Sequence, residues 1–422
     1  MNPGTEGAPW QTLSNLQDLS LNPGDNIMLA AGQMYHGAIV LKDMHGNANA
    51  PIRLTSYFPE KTADSLATVD ALSFSNGIHL INCSYILVES LRVQADGGRG
   101  NDEGMRCGIK VEATGAQSTS HITMRNLHIR NIFYHNPGLK RGKKEVQTAN
   151  GTQAYGWGIR VISNKEGASI AHVAIEGCVV ENVAHTGIKF TGGKEKIRDV
   201  RVTNCSVKRV GGPGLQFSLV EDLYVARNYV SHSGNSEDGR MWGRGSGLWT
   251  WGTHTALIEH NHLMYAQGPG DSAGAHIDFN CKDVILQYNF SAFNAGGFCE
   301  VLGNNRNCAY RYNISFNDGS RQKGIDGAFQ DGKIFWLSGY VGNNQERVGP
   351  YNTYFYNNTI YLSDSIESKI AISPTASGIL IANNIFYVGK SRLVMDDQSK
   401  WNSSTHNEGN SVIFSNNLYQ QA

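Results

Sequence analysis

Charge is scarce in this chain of 422 residues, and what there is cancels: Lys+Arg and Asp+Glu number 36 each, only 17% of the sequence together. That balance leaves no global field and argues against a nucleic-acid partner. No apolar run is long enough to span a bilayer, so no membrane span is expected. Cysteine is too rare, at 7, to form a disulfide framework in so long a chain, and no CxxC pair supports a zinc site. No acidic set is shaped like a calcium site, so neither metal nor cofactor is expected. Helical periodicity is nearly absent. Met1-Asn2-Pro3-Gly4 lacks the basic and apolar regions of a signal peptide. The composition suits an exported bacterial protein, which places the chain as secreted, periplasmic or on the cell surface, its signal peptide removed.

Glycine, by contrast, is abundant at 48 residues, and it recurs in a pattern. Gly followed by a short alternating strand appears at Gly77-Ile78-His79-Leu80, Gly108-Ile109-Lys110-Val111, Gly158-Ile159-Arg160-Val161 and Gly187-Ile188-Lys189-Phe190. Gly214-Leu215-Gln216-Phe217 and Gly247-Leu248-Trp249-Thr250 continue it, and the stretches from Gly274 and Gly296 follow less cleanly. A second element is an alternating strand that breaks at Asn and resumes, around Asn204, Asn228, Asn261, Asn289, Asn313, Asn358, Asn384 and Asn417. Most intervals between these Asn are about 24–33 residues, a solenoid period. Alternation at period 2 means strands, and Gly or Asn at the breaks supplies turns. The expected fold is therefore all-β, a single-stranded right-handed parallel β-helix of roughly ten or more coils over 1–422. Residues 1–30 form an N-terminal cap and about 70–420 the stacked coils.

Several residues fall into place on this repeat. Asn side chains stacked at one turn can hydrogen-bond from coil to coil. The glycosylation-like triplets at Asn82, Asn204, Asn289 and Asn313 are then ladder positions. Cys83, Cys178 and Cys205 recur at one repeat position and read as small core fillers. Apolar spacing after Pro9 predicts a short helix that caps the open end of the solenoid. Long insertions at about 134–156, 232–246, 317–333 and 389–411 should collect on one face and form the binding face.

Three N-terminal segments carry a resemblance: Asn2-Pro3-Gly4-Thr5-Glu6-Gly7-Ala8-Pro9-Trp10-Gln11-Thr12-Leu13, Leu21-Asn22-Pro23-Gly24-Asp25 and Asn49-Ala50-Pro51-Ile52-Arg53-Leu54. Together they resemble the start of bacterial β-helix carbohydrate-active enzymes of the pectate-lyase-like superfamily, among them the lacto-N-biosidase family of glycoside hydrolases. The resemblance is close over roughly the first 60 residues and elsewhere a matter of repeat style. It implies a glycosidase with two catalytic Asp seven residues apart, one on a loop and one on the following strand. Asp271 and Asp278 have that spacing.

The residues themselves lead to the same region. Alternation sends Trp249 and Trp251 outward, His276 and Asp278 outward one coil on, and Phe298 and Glu300 on the next. Earlier coils place Lys110 and Glu112, Arg160 and Ile162, Lys189 and Thr191, and Gln216 and Ser218 in the same two columns. Asp278 and Glu300 in one column would hold their carboxyl groups near the roughly 5–5.5 Å of a retaining glycosidase. Asp271 on its loop would suit the wider spacing of an inverting one, or would simply belong to a turn. The candidate catalytic residues are thus Asp278, Asp271 and Glu300. The candidate binding residues are His276 for orientation, Trp249 and Trp251 as a sugar platform, and Lys189, Arg160 and Gln216. Arg160 and Lys189 would hold an acidic group of a glycan or pair with Glu112 and other neighbours. The basic run Lys140-Arg141-Gly142-Lys143-Lys144 is either a solvated face or an overhang of the groove.

The leading functional reading is a glycoside hydrolase that acts as a monomer on an oligo- or polysaccharide. A polysaccharide lyase is the alternative, with His276 as base and Arg160 and Lys189 neutralising a uronate. A non-catalytic carbohydrate-binding solenoid, akin to a phage tailspike module, is the third.

Overall fold

The computed structural model describes residues 4–16, 19–58, 65–95, 106–133, 156–163, 165–234, 244–389, 392–394 and 412–420. Three parallel sheets run along it. The first, from Asn26–Ala30 to Val412–Ser415, and the second, from Met34–His36 to Leu418–Gln420, have 13 strands each. The third, from Ile39–Lys42 to Arg392–Val394, has 12. Successive strands in the chain go to successive sheets, and each strand pairs with the one three places later. The chain therefore winds as a right-handed parallel β-helix, the hand that twisted parallel strands impose on a crossover. Among the described residues no helix is long and apolar enough to cross a membrane.

Alternation builds the core. In the third sheet Ile159, Ile188, Leu215 and Leu248 stack in register, with Val161, Phe190 and Phe217 beside them, all fully buried. The glycine preceding each of these strands is required by close approach. A Cβ on Gly187 would lie 2.8 Å from the carbonyl oxygen of Gly214, and one on Gly214 2.8 Å from that of Gly247. The seven cysteines are free and buried, as small core residues.

Among the described residues the expected capping helix does not extend to an α-helix. A four-residue 3-10 turn, Leu13–Leu16, takes its place and turns Leu13 and Leu16 onto the core. Thr12, Ser14 and Asn15 are weak helix formers, and so short a segment gains too little to nucleate an α-helix.

The corner between the first and second sheets contains two distinct Asn positions, a distinction that alternation alone does not reveal. One is a left-handed turn residue: Asn126 (φ 52°), Asn204 (55°), Asn357 (55°) and Asn383 (55°) occupy it, while Asn82 (53°) has the same conformation at the corner between the third and first sheets. The next residue points inward. There Asn228, Asn261, Asn289, Asn313, Asn358, Asn384 and Asn417 form a continuous ladder, each Oδ1 accepting from the preceding Asn Nδ2 at 2.9–3.0 Å. Cys205 occupies this inward position one coil earlier, its N–H bonded to Asn228 Oδ1 at 2.9 Å. Asn82 and Asn204 are thus turn residues, and Asn204 is exposed. The ladder explanation of their glycosylation-like triplets is corrected on this point, while Asn289 and Asn313 are buried ladder members.

The insertions at 134–156, 232–246 and 317–333 all leave the helix at the corner between the second and third sheets. That corner borders the outer face of the third sheet. Residues 134–155, with the basic run 140–144, and most of 235–246 and 389–411 lie outside the described residues. The segment 317–333 is described throughout and folds back over the corner.

Candidate active site

The outer face of the third sheet carries one continuous column. Register pairs His79 with Lys110, then Arg160, Lys189, Gln216, Trp249, His276, Glu300 and Trp336 in turn. The second column runs Glu112, Ile162, Thr191, Ser218 and Trp251. Asp278 follows the strand Ala273–Ile277, its N–H bonded to Thr250 O at 2.8 Å.

One expected juxtaposition changes. Glu300 lies opposite His276, not Asp278. The position that glycine fills in the preceding coils is taken here by Phe298, whose ring enters the core against Tyr310 and Phe355. Counting from Gly296 and Gly297 therefore slips the register, and Phe298 is not an outward residue. Asp278 and Glu300 are diagonal neighbours, whose backbones are spaced by about 7–8 Å. Asp278 and Glu300 therefore do not form a close retaining pair in one column.

The carboxyl groups differ sharply in environment. Asp271 sits in a left-handed turn (φ 46°) beyond Gly270, where any Cβ would collide with the Phe329 ring. Arg244 Nη1 donates to its Oδ2 at 3.1 Å, and Arg321 Nη1 donates to its carbonyl oxygen at 2.9 Å. Burial alone would raise its pKa. Arg244, then His276 and Arg321, outweigh that and hold Asp271 below the usual carboxylate value.

Asp278 is only 4% exposed. Its Oδ2 accepts from Trp249 Nε1 at 2.9 Å and its Oδ1 from the Phe279 N–H at 2.8 Å. Desolvation dominates, with the Asp271 charge adding to it, and together they push Asp278 up to about 7 despite the two bonds. Glu300 is raised well above its ordinary value by burial, then by Asp271. Among the described residues none donates a hydrogen bond to it.

His276 lies between these groups. Its ring stacks on Trp249 at 5.1 Å and 5° between planes. Burial holds its pKa at about 4, so the ring is neutral near pH 7. Nδ1 is 3.6 Å from Glu300 and Nε2 4.0 Å from Asp278, too far for hydrogen bonds, and neither nitrogen has a partner. Aromatic residues wall the site. Trp251 meets Phe279 edge-on at 5.8 Å, Phe279 meets Tyr340 at 6.0 Å, and Trp336 packs against Leu302 beside them.

The structure thus brings Asp271, Asp278, Glu300, His276, Trp249 and Trp251 together. Trp249 does so as a buried residue, only 2% exposed, with one face on His276 and its N–H on Asp278, not as an open sugar platform. Gln216, Lys189 and Arg160 continue the column away from the carboxyl groups. Glu112 is engaged elsewhere, by Lys110 and His79. Sequence reasoning missed Arg244, Arg321, Phe329, Tyr340 and Trp336. The alternation of Gly332-Lys333-Ile334-Phe335-Trp336 announces one more strand, but Trp336 stands four residues after its glycine where earlier column residues stand two after theirs, so the pattern does not place it in the column.

A family model described as the right handed beta helix region matches residues 157–329, which hold the whole carboxyl cluster. That stretch is less than half of the chain, and its description agrees with the three parallel sheets described above. A lacto-N-biosidase of Bifidobacterium longum subsp. longum is 24% identical to this β-helix over 99% of the chain and 30% of its own length. The crystal structure of a GH136 lacto-N-biosidase from Eubacterium ramulus superposes with a TM-score of 0.65 at 16% identity, covering 100% of this chain and 66% of that one. The Dettilon tailspike protein superposes with a TM-score of 0.51 at 13% identity, over 87% of this chain and 61% of its own. The solved structures share the fold. The β-helix spans less than a third of the curated relative and just under two thirds of the solved lacto-N-biosidase.

Proposed function

We propose that this β-helix hydrolyses a glycosidic bond with Asp271 and Asp278 as its paired carboxyl groups. The observation that carries the reading is their opposite displacement: Asp271 is held ionised and Asp278 is raised to about 7. Near neutral pH the pair then holds one proton and one negative charge. A glycosidase needs both, an acid for the leaving oxygen and a carboxylate as nucleophile or as base for water. The shared proton belongs to the pair as a unit. Glu300, its pKa raised by burial, and His276, a neutral ring with open nitrogens, are placed to hydrogen-bond sugar hydroxyls.

Support also comes from the relatives, which are lacto-N-biosidases, and from the seven-residue spacing their resemblance implies. The small residual exposure of the carboxyl groups fits a closed pocket and action at a chain end. We place this action on glycans outside the cell, since the composition suits an exported protein. The lyase arrangement with His276 as base fits less well. Lys189 is three coils, about 14 Å, from His276, too far to neutralise the uronate whose proton His276 would take. A ring with its pKa near 4 is also a poor base.

The test begins with an aryl lacto-N-bioside, the glycoside in the relatives' name, followed by an oligosaccharide panel assayed for new reducing ends. Wild type should release them, and Asp271→Asn and Asp278→Asn should each lower kcat by about 10²–10⁴-fold. Activity near wild type in Asp278→Asn would defeat the assignment. An unsaturated-uronate chromophore without new hydrolytic ends would establish the lyase.

A further inference from the structure

The column continues past the carboxyl cluster into a stretch the proposed hydrolysis does not use. Arg160 and Lys189 stand on adjacent coils, each 1% exposed. The Arg160 guanidinium lies 4.8 Å over the Trp157 ring, which fixes its plane, yet Nε and Nη1 have no hydrogen-bond partner. Among the described residues no carboxylate pairs with either cation. Glu112, the nearest carboxylate in the second column, is bound by Lys110 and His79. Burial and then the Arg160 charge push Lys189 well below its ordinary pKa, so its ammonium form is disfavoured until an anion joins the two side chains. Buried unpaired cations are costly unless an anion joins them.

The neighbouring atoms narrow the anion's chemistry. Gln216, next in the column after Lys189, has a buried Oε1 without a partner, and Thr191, in the second column, has a buried Oγ1 without one. A bare inorganic anion offers no donor to Gln216. A hydroxylated anion offers donors and charge together.

We propose that Arg160, Lys189, Thr191 and Gln216 form a subsite for an acidic sugar, its carboxylate or sulfate on the two cations and its hydroxyls on Gln216 and Thr191. This rests on the reading of the same face as a glycan groove. The subsite lies about 14 Å along the column from His276, so it grips a unit other than the one being cleaved.

Calorimetric titration of the full chain tests it, with glucuronic acid and glucose 6-sulfate as probes and glucose, acetate and sulfate as controls. Both acidic sugars should bind at least about tenfold more tightly than glucose and than the bare anions. Lys189→Met and Arg160→Met should each weaken acidic-sugar binding by about tenfold or more. Gln216→Leu should weaken it while leaving acetate unchanged. Lys189→Met should melt at or above the wild-type temperature, because an unpaired buried charge is removed. A Lys189→Met chain that melts lower would mean the lysine is structurally paired and would overturn the subsite. So would acidic sugars that bind no better than glucose, or bare anions that bind as well as the sugars. Asp278→Asn should bind the acidic sugars like wild type. Binding in a chain that hydrolyses nothing would uphold the subsite and reject the hydrolase, and hydrolysis without acidic-sugar preference would do the reverse.

Discussion

Two sets of buried polar residues run along this solenoid, and they are finished to different standards. At the corner between the first and second sheets, the Asn ladder leaves nothing open. Asn289 Oδ1 accepts from the N–H and the Nδ2 of Asn261, while Asn289 Nδ2 donates to Ile258 O and to Asn313 Oδ1. On the outer face of the third sheet, atoms of Arg160, Gln216, Trp251 and His276 are buried without partners. Polar groups buried for structure are saturated, because an open one costs about 1–3 kcal/mol. The open groups on the third sheet are the ones the proposed glycan reading assigns to a ligand.

Two aspartates sharpen the contrast. Asp318 and Asp278 are both raised to about 7, chiefly by burial. Asp318 accepts from Ser291, Ser315 and both nitrogens of Asn294, a closed network at the corner between the second and third sheets. Asp278 has two donors and faces a neutral imidazole with open nitrogens and a second, ionised aspartate. The raised pKa alone marks neither residue as catalytic. The unsaturated surroundings distinguish them.

The largest expected difference comes from breaking the ladder. Asn289→Ala orphans two donors on Asn261 and the acceptor Ile258 O, while Asn313 Oδ1 keeps the backbone N–H of residue 289, so it should cost about 3 kcal/mol. Denaturant unfolding checks this, and specific activity of the folded fraction should stay at the wild-type level. A smaller effect, with the opposite pattern, is expected at the site. Arg244→Gln removes the main partner of Asp271 and should lower kcat/KM by about 10²-fold with little loss of stability. The sign of its pH effect follows. Without Arg244 the Asp271 pKa rises, its carboxylate is lost at higher pH, and the acid limb of the kcat/KM profile should move to higher pH. An unmoved limb would separate Arg244 from the titration.

Much of the fold was legible because solenoid repeats write the same physics many times over. The column from Lys110 through Arg160, Lys189, Gln216 and Trp249 to His276 follows from glycine and alternation alone. Legibility failed where the repeat was broken. Phe298 took the glycine place and shifted Glu300, and the one-residue offset between turn Asn and ladder Asn hid in a motif that contains both. Burial of Trp249 was illegible for another reason: alternation says which face a side chain takes, not what folds over that face. Arg244, Arg321 and Phe329 come from insertions with no period, so no pattern predicts where they land.

The account stands most directly on the opposite proton affinities of Asp271 and Asp278. Carbon-13 NMR of chain labelled at the aspartate carboxyl carbons can read both, with Asp271→Asn and Asp278→Asn supplying the assignments. The predicted result is a midpoint near 7 for Asp278 and one below the ordinary aspartate value of about 3.9 for Asp271. If both titrate together near that ordinary value, the two carboxyl groups share one environment, and their division into acid and carboxylate is contradicted.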